Sequence, residues 1–96
     1  MRAVLRVHHK LKLQDRFTVE LTIHEVPVSE RYRDGVKYGL ICVDEQTKSR
    51  ILFDNHHPKG PHIHLNDLEL GYEFVSEEQL VADFKNMVWE RMGVKL

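Results

Sequence analysis

The chain holds a single cysteine, Cys42, so an internal disulfide and a CxxC metal site are both excluded. No apolar run approaches the ~20 residues that a membrane-crossing helix requires. Neither sign of charge dominates: 14 Lys and Arg stand against 15 Asp and Glu, a formal net charge of −1. That balance excludes a uniformly basic coat for nucleic acid and leaves room only for a local basic patch. With three prolines and five glycines there is no low-complexity linker, and no internal repeat is visible. The one tryptophan, Trp89, lies beside a helical apolar stripe and reads as packing rather than as a base-stacking platform. Basic residues open the N-terminus, but polar ones interrupt it too soon for a secretory signal. Together with the lone cysteine, which falls in an apolar strand pattern, this points to a reducing cytoplasm.

What remains is ordinary in bulk and concentrated in one place. Ninety-six residues, 42% hydrophobic and 30% charged, suit one domain spanning residues 1–96. Seven histidines are present, and four of them fall between Phe53 and His64, in FDNHHPKGPHIH. The same stretch carries Asp54, Asn55, Lys59 and Gly60. Because an unperturbed imidazole titrates near pH ~6.5, the chain turns net positive in mild acid.

The rest reads as scaffold. Residues 3–13 alternate, with Ala3, Leu5, Val7, Leu11 and Leu13 on one face and Arg6, His8, Lys10 and Lys12 on the other. Residues 17–26 alternate again, and the short break at Gln14-Asp15 predicts a hairpin with Lys and Arg near Glu20. Residues 26–34 read as a solvated charged loop, and residues 36–44, apolar on both faces, as a central strand. Residues 48–54 form a fourth strand that delivers Asp54 and Asn55 at its end. Pro58, Gly60 and Pro61 forbid regular structure after it, and His62 to Leu65 resumes as a short extended piece. Asn66-Asp67 and Gly71 mark turns, and Tyr72, Phe74 and Val75 are expected on the core. Residues 77–92 form one helix. Ser76 is its N-cap, Gln79 completes a capping box, and Val75 with Leu80 is placed for a hydrophobic staple. The apolar stripe is Leu80, Val81, Phe84, Met87, Val88 and Met92, and Gly93 is the stop. The expected fold is α+β: an antiparallel sheet of four or five strands with the C-terminal helix packed on one face.

Three readings of the histidine-rich stretch stay open on the residues alone. His62 and His64, two apart on an extended segment, share a face at roughly 6.5–7 Å and can flank a phosphodiester as proton acceptor and donor. RNA brings its own nucleophile in the 2′-hydroxyl, so no serine or cysteine is needed. In this reading His62, His64, Lys59 and Asp54 are catalytic, with Lys59 facing the phosphate charge and Asp54 orienting a histidine. Asn55, Gly60, Arg50 and His57 are the candidates for holding substrate, and Lys10, Lys12, Arg31 and Arg33 extend the basic surface. No cofactor is required. The second reading is a zinc- or nickel-type metal site using His56, His57, His62 and His64 with Asp54, in a metal-binding protein or metal-dependent hydrolase. The third is a solvated, proline-bent loop rich in histidine. His8, His9 and His24 are expected at the surface or a sheet edge.

The run KYGLICVDEQTKSRILFDNHHPKGPHIH, followed by YEFVSEEQLVADFKNMV, resembles the TumE family of small toxins. There a strand ends in Asp-Asn, a Gly- and Lys-bearing loop follows, His-x-His closes the motif, and Phe-x-Ser-x-Glu-Gln-Leu opens the last helix. The resemblance spans residues 1–92, and the motif maps onto Asp54, Asn55, Lys59, Gly60, His62 and His64. His56 and His57 fall at variable positions. Pro58 stands where glycine is common, and Pro61 where the family often has Asp. The resemblance implies a toxin of a toxin–antitoxin module whose partner is a helix-turn-helix antitoxin. Joined to the residue chemistry, it leads us to expect a toxin that acts on RNA, as a metal-independent endoribonuclease. A non-catalytic module that binds the antitoxin or nucleic acid is the alternative. RNA and a second copy of the chain are further expected partners; a membrane is not.

Overall fold

The computed structural model describes residues 3–96. Six strands precede one helix: β1 (Val4–Leu13), β2 (Phe17–Glu25), β3 (Val36–Asp44), β4 (Arg50–Asp54), β5 (His62–Leu65), β6 (Leu68–Gly71) and α1 (Glu77–Met92). The strands form one antiparallel sheet in sequential order, each paired to its chain neighbour. The α+β class, the antiparallel sheet and the C-terminal helix are as expected. The strand count is not: the sheet has six strands rather than four or five. Leu68–Gly71 is too short for its alternation to register as a strand, yet the tight turn at Asn66-Asp67 folds it directly back on β5.

Residues opposed across antiparallel strands share a face. Phe17, Val19, Leu21 and Ile23 of β2, Tyr38, Leu40 and Cys42 of β3, Ile51 and Phe53 of β4, and Ile63 and Leu65 of β5 are all buried on one face. The helix lies on this face over β3 and β4. Its spacings of four put Leu80, Phe84 and Val88 against the sheet, all fully buried, with Val81, Met87 and Met92 at the margin. Phe84 meets Phe53 edge-on with ring centroids 5.6 Å apart. Burying such a ring stabilises the fold by ~1.5–3 kcal/mol.

Ser76 caps the helix as expected, its hydroxyl accepting from the Gln79 backbone N–H at 3.0 Å. Gly93 ends it at φ 69°, donating to the Trp89 carbonyl. The reciprocal half of the capping box is missing, because the Gln79 side chain donates to Asp83 at 2.7 Å instead. The staple is also absent. Val75 is 70% exposed, and the neighbouring aromatics take its place: Phe74 stacks on Tyr38 and Tyr72 packs on Phe53. Trp89 is exposed too, since it follows Val88 by one residue and so turns away from the sheet.

β1 departs most from its pattern. Its register slips between Leu5 and Val7, which places Arg6 at a bulge and sends Leu5 to the face opposite Val7. As an outer strand beyond the helix, it leaves Val4, Leu5 and Leu11 exposed. Lys10 does oppose Glu20, whose carboxylate contacts His8 Nε2 at 2.9 Å. The β1–β2 end of the sheet is locked to β3 by Arg16, whose guanidinium donates twice to Asp44 at 2.9 and 2.8 Å. No helix among the described residues is long and apolar enough to cross a membrane.

Candidate functional site on the open sheet face

The face opposite the helix carries the polar alternates. β4 sends Asp54 to this face, β5 sends His62 and His64, and β6 sends Glu69. The register Asp54↔His62 and Leu52↔His64 follows from the length of the loop at residues 55–61, so the acid and the first imidazole are direct cross-strand partners. His64 in turn is directly opposite Glu69.

His62 is buried. Its Nδ1 lies 2.6 Å from the Gly60 carbonyl, which Gly60 directs inward from a left-handed φ of 73°. Its Nε2 lies 2.9 Å from Asp54 Oδ1. Oδ1 is nonetheless a buried oxygen with no hydrogen-bond partner among the described residues. The ring of His64 stands edge-to-face on His62 with centroids 4.6 Å apart, and it is half-buried. The two imidazoles are thus closer than strand spacing alone suggests, and only His64 opens to solvent.

Lys59 reaches over β6 to grip Glu69, with Nζ 2.9 Å from Oε1 and 3.1 Å from Oε2. Glu69 Oε1 is also 3.9 Å from His62 Nε2. The Lys59 hydrogen bond, helped by the nearby imidazoles, holds the Glu69 carboxyl below the usual carboxylate range. Glu69 was not visible as a site residue in the sequence. The available signal was the alternation Leu68-Glu69-Leu70 between two turns, which puts Glu69 on the face of His64.

The other expected site residues separate. Asn55 is buried and fully engaged by backbone: its Oδ1 accepts from Tyr38 N–H at 2.9 Å, and its Nδ2 donates to the Val36 carbonyl at 2.8 Å. It therefore extends the β3–β4 ladder instead of facing a ligand. Arg50 sits at the opposite end of β4, ~13 Å along the strand from Asp54. His57 is exposed in the loop, beside a cleft shared with Arg31 and Arg33. His56 lines a different hollow, about 290 Å³, with Thr22, Ile41 and Leu52. Gly39, which lines the same hollow, lies directly opposite Asp54. Of the four histidines proposed as metal ligands, only His62 and His64 join Asp54, the three ligand atoms lying within 4.8 Å of one another.

Searches of curated proteins and of solved structures found no match. The family model described as Toxin TumE matches residues 2–92, which include every strand, the helix and the whole open-face cluster, and the chain therefore belongs to the TumE toxin family.

Proposed function

We propose that this toxin acts on RNA at the open sheet face, with Glu69, Lys59 and His64 as the groups that meet the scissile phosphate. The observation that carries the reading is the convergence of an ionised carboxylate, an ammonium and a half-exposed imidazole at one solvent-facing spot. Glu69 accepts the proton of the 2′-hydroxyl, and Lys59 answers the charge that builds on the phosphoryl oxygens. His64 lines the same spot. The 2′-oxygen attacks phosphorus, the P–O5′ bond breaks and the 5′-oxygen leaves with a proton drawn from water, so the product end is a 2′,3′-cyclic phosphate. This replaces the arrangement of two imidazoles flanking the phosphate, because His62 is buried with both ring nitrogens facing protein oxygens. Asp54 and His62 serve as the support beneath.

Lys10 and Lys12, on the open face of β1, and Arg31 and Arg33, beside the loop at residues 55–61, supply the positive charge that a phosphate backbone seeks. A toxin of this kind requires a neutralising partner. A helix-turn-helix antitoxin is the partner proposed, and the cytoplasm the place of action.

Purified protein incubated with unstructured RNA tests the reading. Cleavage should leave cyclic-phosphate ends and fail on 2′-O-methyl RNA. Glu69→Gln should lower the rate by ~100-fold or more, the usual worth of a general base. Its melting temperature should hold, since an exposed ion pair adds little to stability. RNA left intact at every protein concentration, or a Glu69→Gln rate equal to the parent's, would refute it.

A further inference from the structure

We infer that Asp54, His62 and His64 form a binding site for a first-row divalent transition cation, with Asp54 Oδ1, His62 Nε2 and one His64 ring nitrogen as ligands. The argument begins at His62. Its Nδ1 can only donate to the Gly60 carbonyl, 2.6 Å away. In the neutral ring Nε2 then carries a lone pair, and that lone pair faces a carboxylate oxygen at 2.9 Å. Two acceptors at that distance repel unless something positive lies between them. Either a second ring proton, giving an imidazolium–carboxylate pair, or a cation supplies it. Asp54 Oδ1 is buried without a hydrogen-bond partner among the described residues, and that favours the cation. A cation beside both atoms resolves the conflict, because ligands of one ion approach each other closely without pointing at each other.

The surroundings agree. A metal-binding histidine characteristically donates its other N–H to a backbone carbonyl or carboxylate, which fixes the tautomer. Gly60 performs that task for His62. Ligand atoms around a tetrahedral ion with bonds of ~2.1 Å lie about 3.4 Å apart. The three candidate atoms already lie within 4.8 Å of one another, with Nε2 and Oδ1 at 2.9 Å. Two nitrogens and one oxygen, without sulfur, suit zinc, cobalt, nickel or ferrous iron rather than calcium. Glu69 Oε1 lies 3.9 Å from Nε2. His56 and His57 take no part.

The site shares residues with the RNA reading above but stands on a separate measurement. Chelator-stripped full-length protein is titrated calorimetrically with Zn²⁺, and with Co²⁺ while its visible absorption is followed. One ion should bind per chain, with a tetrahedral Co²⁺ band. Loss of an outer-shell partner typically weakens a metal site ~10–100-fold, so loss of a ligand in Asp54→Asn or His64→Ala should weaken Zn²⁺ by at least ~100-fold. His64→Ala, truncated at a half-exposed position, keeps the test valid should Asp54→Asn fail to fold. The double variant His56→Ala/His57→Ala should bind as the parent does. Absence of saturable binding, or binding that survives His64→Ala and disappears in the double variant, overturns the site. RNA cleavage by protein that takes up no metal would remove this inference and spare the RNA reading. Tight metal binding without cleavage would do the reverse.

Discussion

Removing the Asn55 amide should damage the fold more than the chemistry. In Asn55→Ala, the Tyr38 N–H loses its acceptor at 2.9 Å and the Val36 carbonyl its donor at 2.8 Å. Asn55 itself is buried, so water cannot readily replace either. Each buried, unpaired backbone group costs ~1–3 kcal/mol, and partial entry of water places the sum at about 2–4 kcal/mol. Against a total stability of ~5–15 kcal/mol that is a large share. With a urea m-value of ~1 kcal/mol/M for a chain this small, the unfolding midpoint should fall by about 2–4 M. Asn55→Asp sharpens the test. It keeps an acceptor for Tyr38 but sets a carboxylate oxygen against the Val36 carbonyl. It should therefore be no more stable than Asn55→Ala at neutral pH. Below pH ~4, where a carboxyl takes up a proton and can donate, it should gain on Asn55→Ala. Activity per folded molecule should persist in both. A midpoint within ~0.5 M of the parent, at unchanged m-value, would refute the clamp and return Asn55 to the substrate-facing role.

Two further outcomes follow from buried groups on β3. The Arg16 guanidinium, seconded by the Gln46 and Thr47 backbone N–H groups, holds the Asp44 carboxyl well below the usual carboxylate range. A depressed folded-state pKa stabilises above the unfolded value and is lost as pH falls toward the folded one. Melting temperature should thus drop steeply below pH ~4 in the parent and less steeply in Asp44→Asn, as scanning calorimetry from neutral to acid would register. Equal slopes would contradict the pairing. Cys42 is fully buried on the helix face, and burial pushes its thiol up to about 11. A thiol-reactive dye at neutral pH should label native protein far more slowly than denatured protein; comparable rates would mean that the helix lifts readily from β3.

Elements whose signal is local were legible in the sequence. The helix was, because Ser76, Gly93 and the spacing of Leu80, Phe84 and Val88 all act within a turn or two. β2 and β3 were, because their faces meet one continuous core. The bulge at Arg6 was not, since slipping by one residue changes no residue type and declares itself only in the partner's register. Val75 and Trp89 were misplaced for a related reason: an apolar residue next to the stripe looks like core until a neighbour, here Phe74 or Val88, fills the place. In the site, period two put His62 and His64 on one face correctly. That Asp54 lies under His62 depends on how many residues the loop spends, and that His62 is inside depends on Gly60 turning its carbonyl back. Asn55 shows the limit most clearly. An amide that binds a base edge and one that binds backbone are chemically the same residue.

All the groups gathered at the open face, from Asp54 through Lys59, His62 and His64 to Glu69, come from one unbroken stretch of chain bent into two adjacent hairpins. Their assembly therefore carries little loop-closure entropy and does not wait on β1 or on the docking of the helix ends. It also means that the chemistry is portable. The loop between β4 and β5 can change its residues, provided it keeps Asp54 set against His62. A one-residue slip of β5 against β4 would send both histidines to the core face, leaving every residue of the motif present and the site gone.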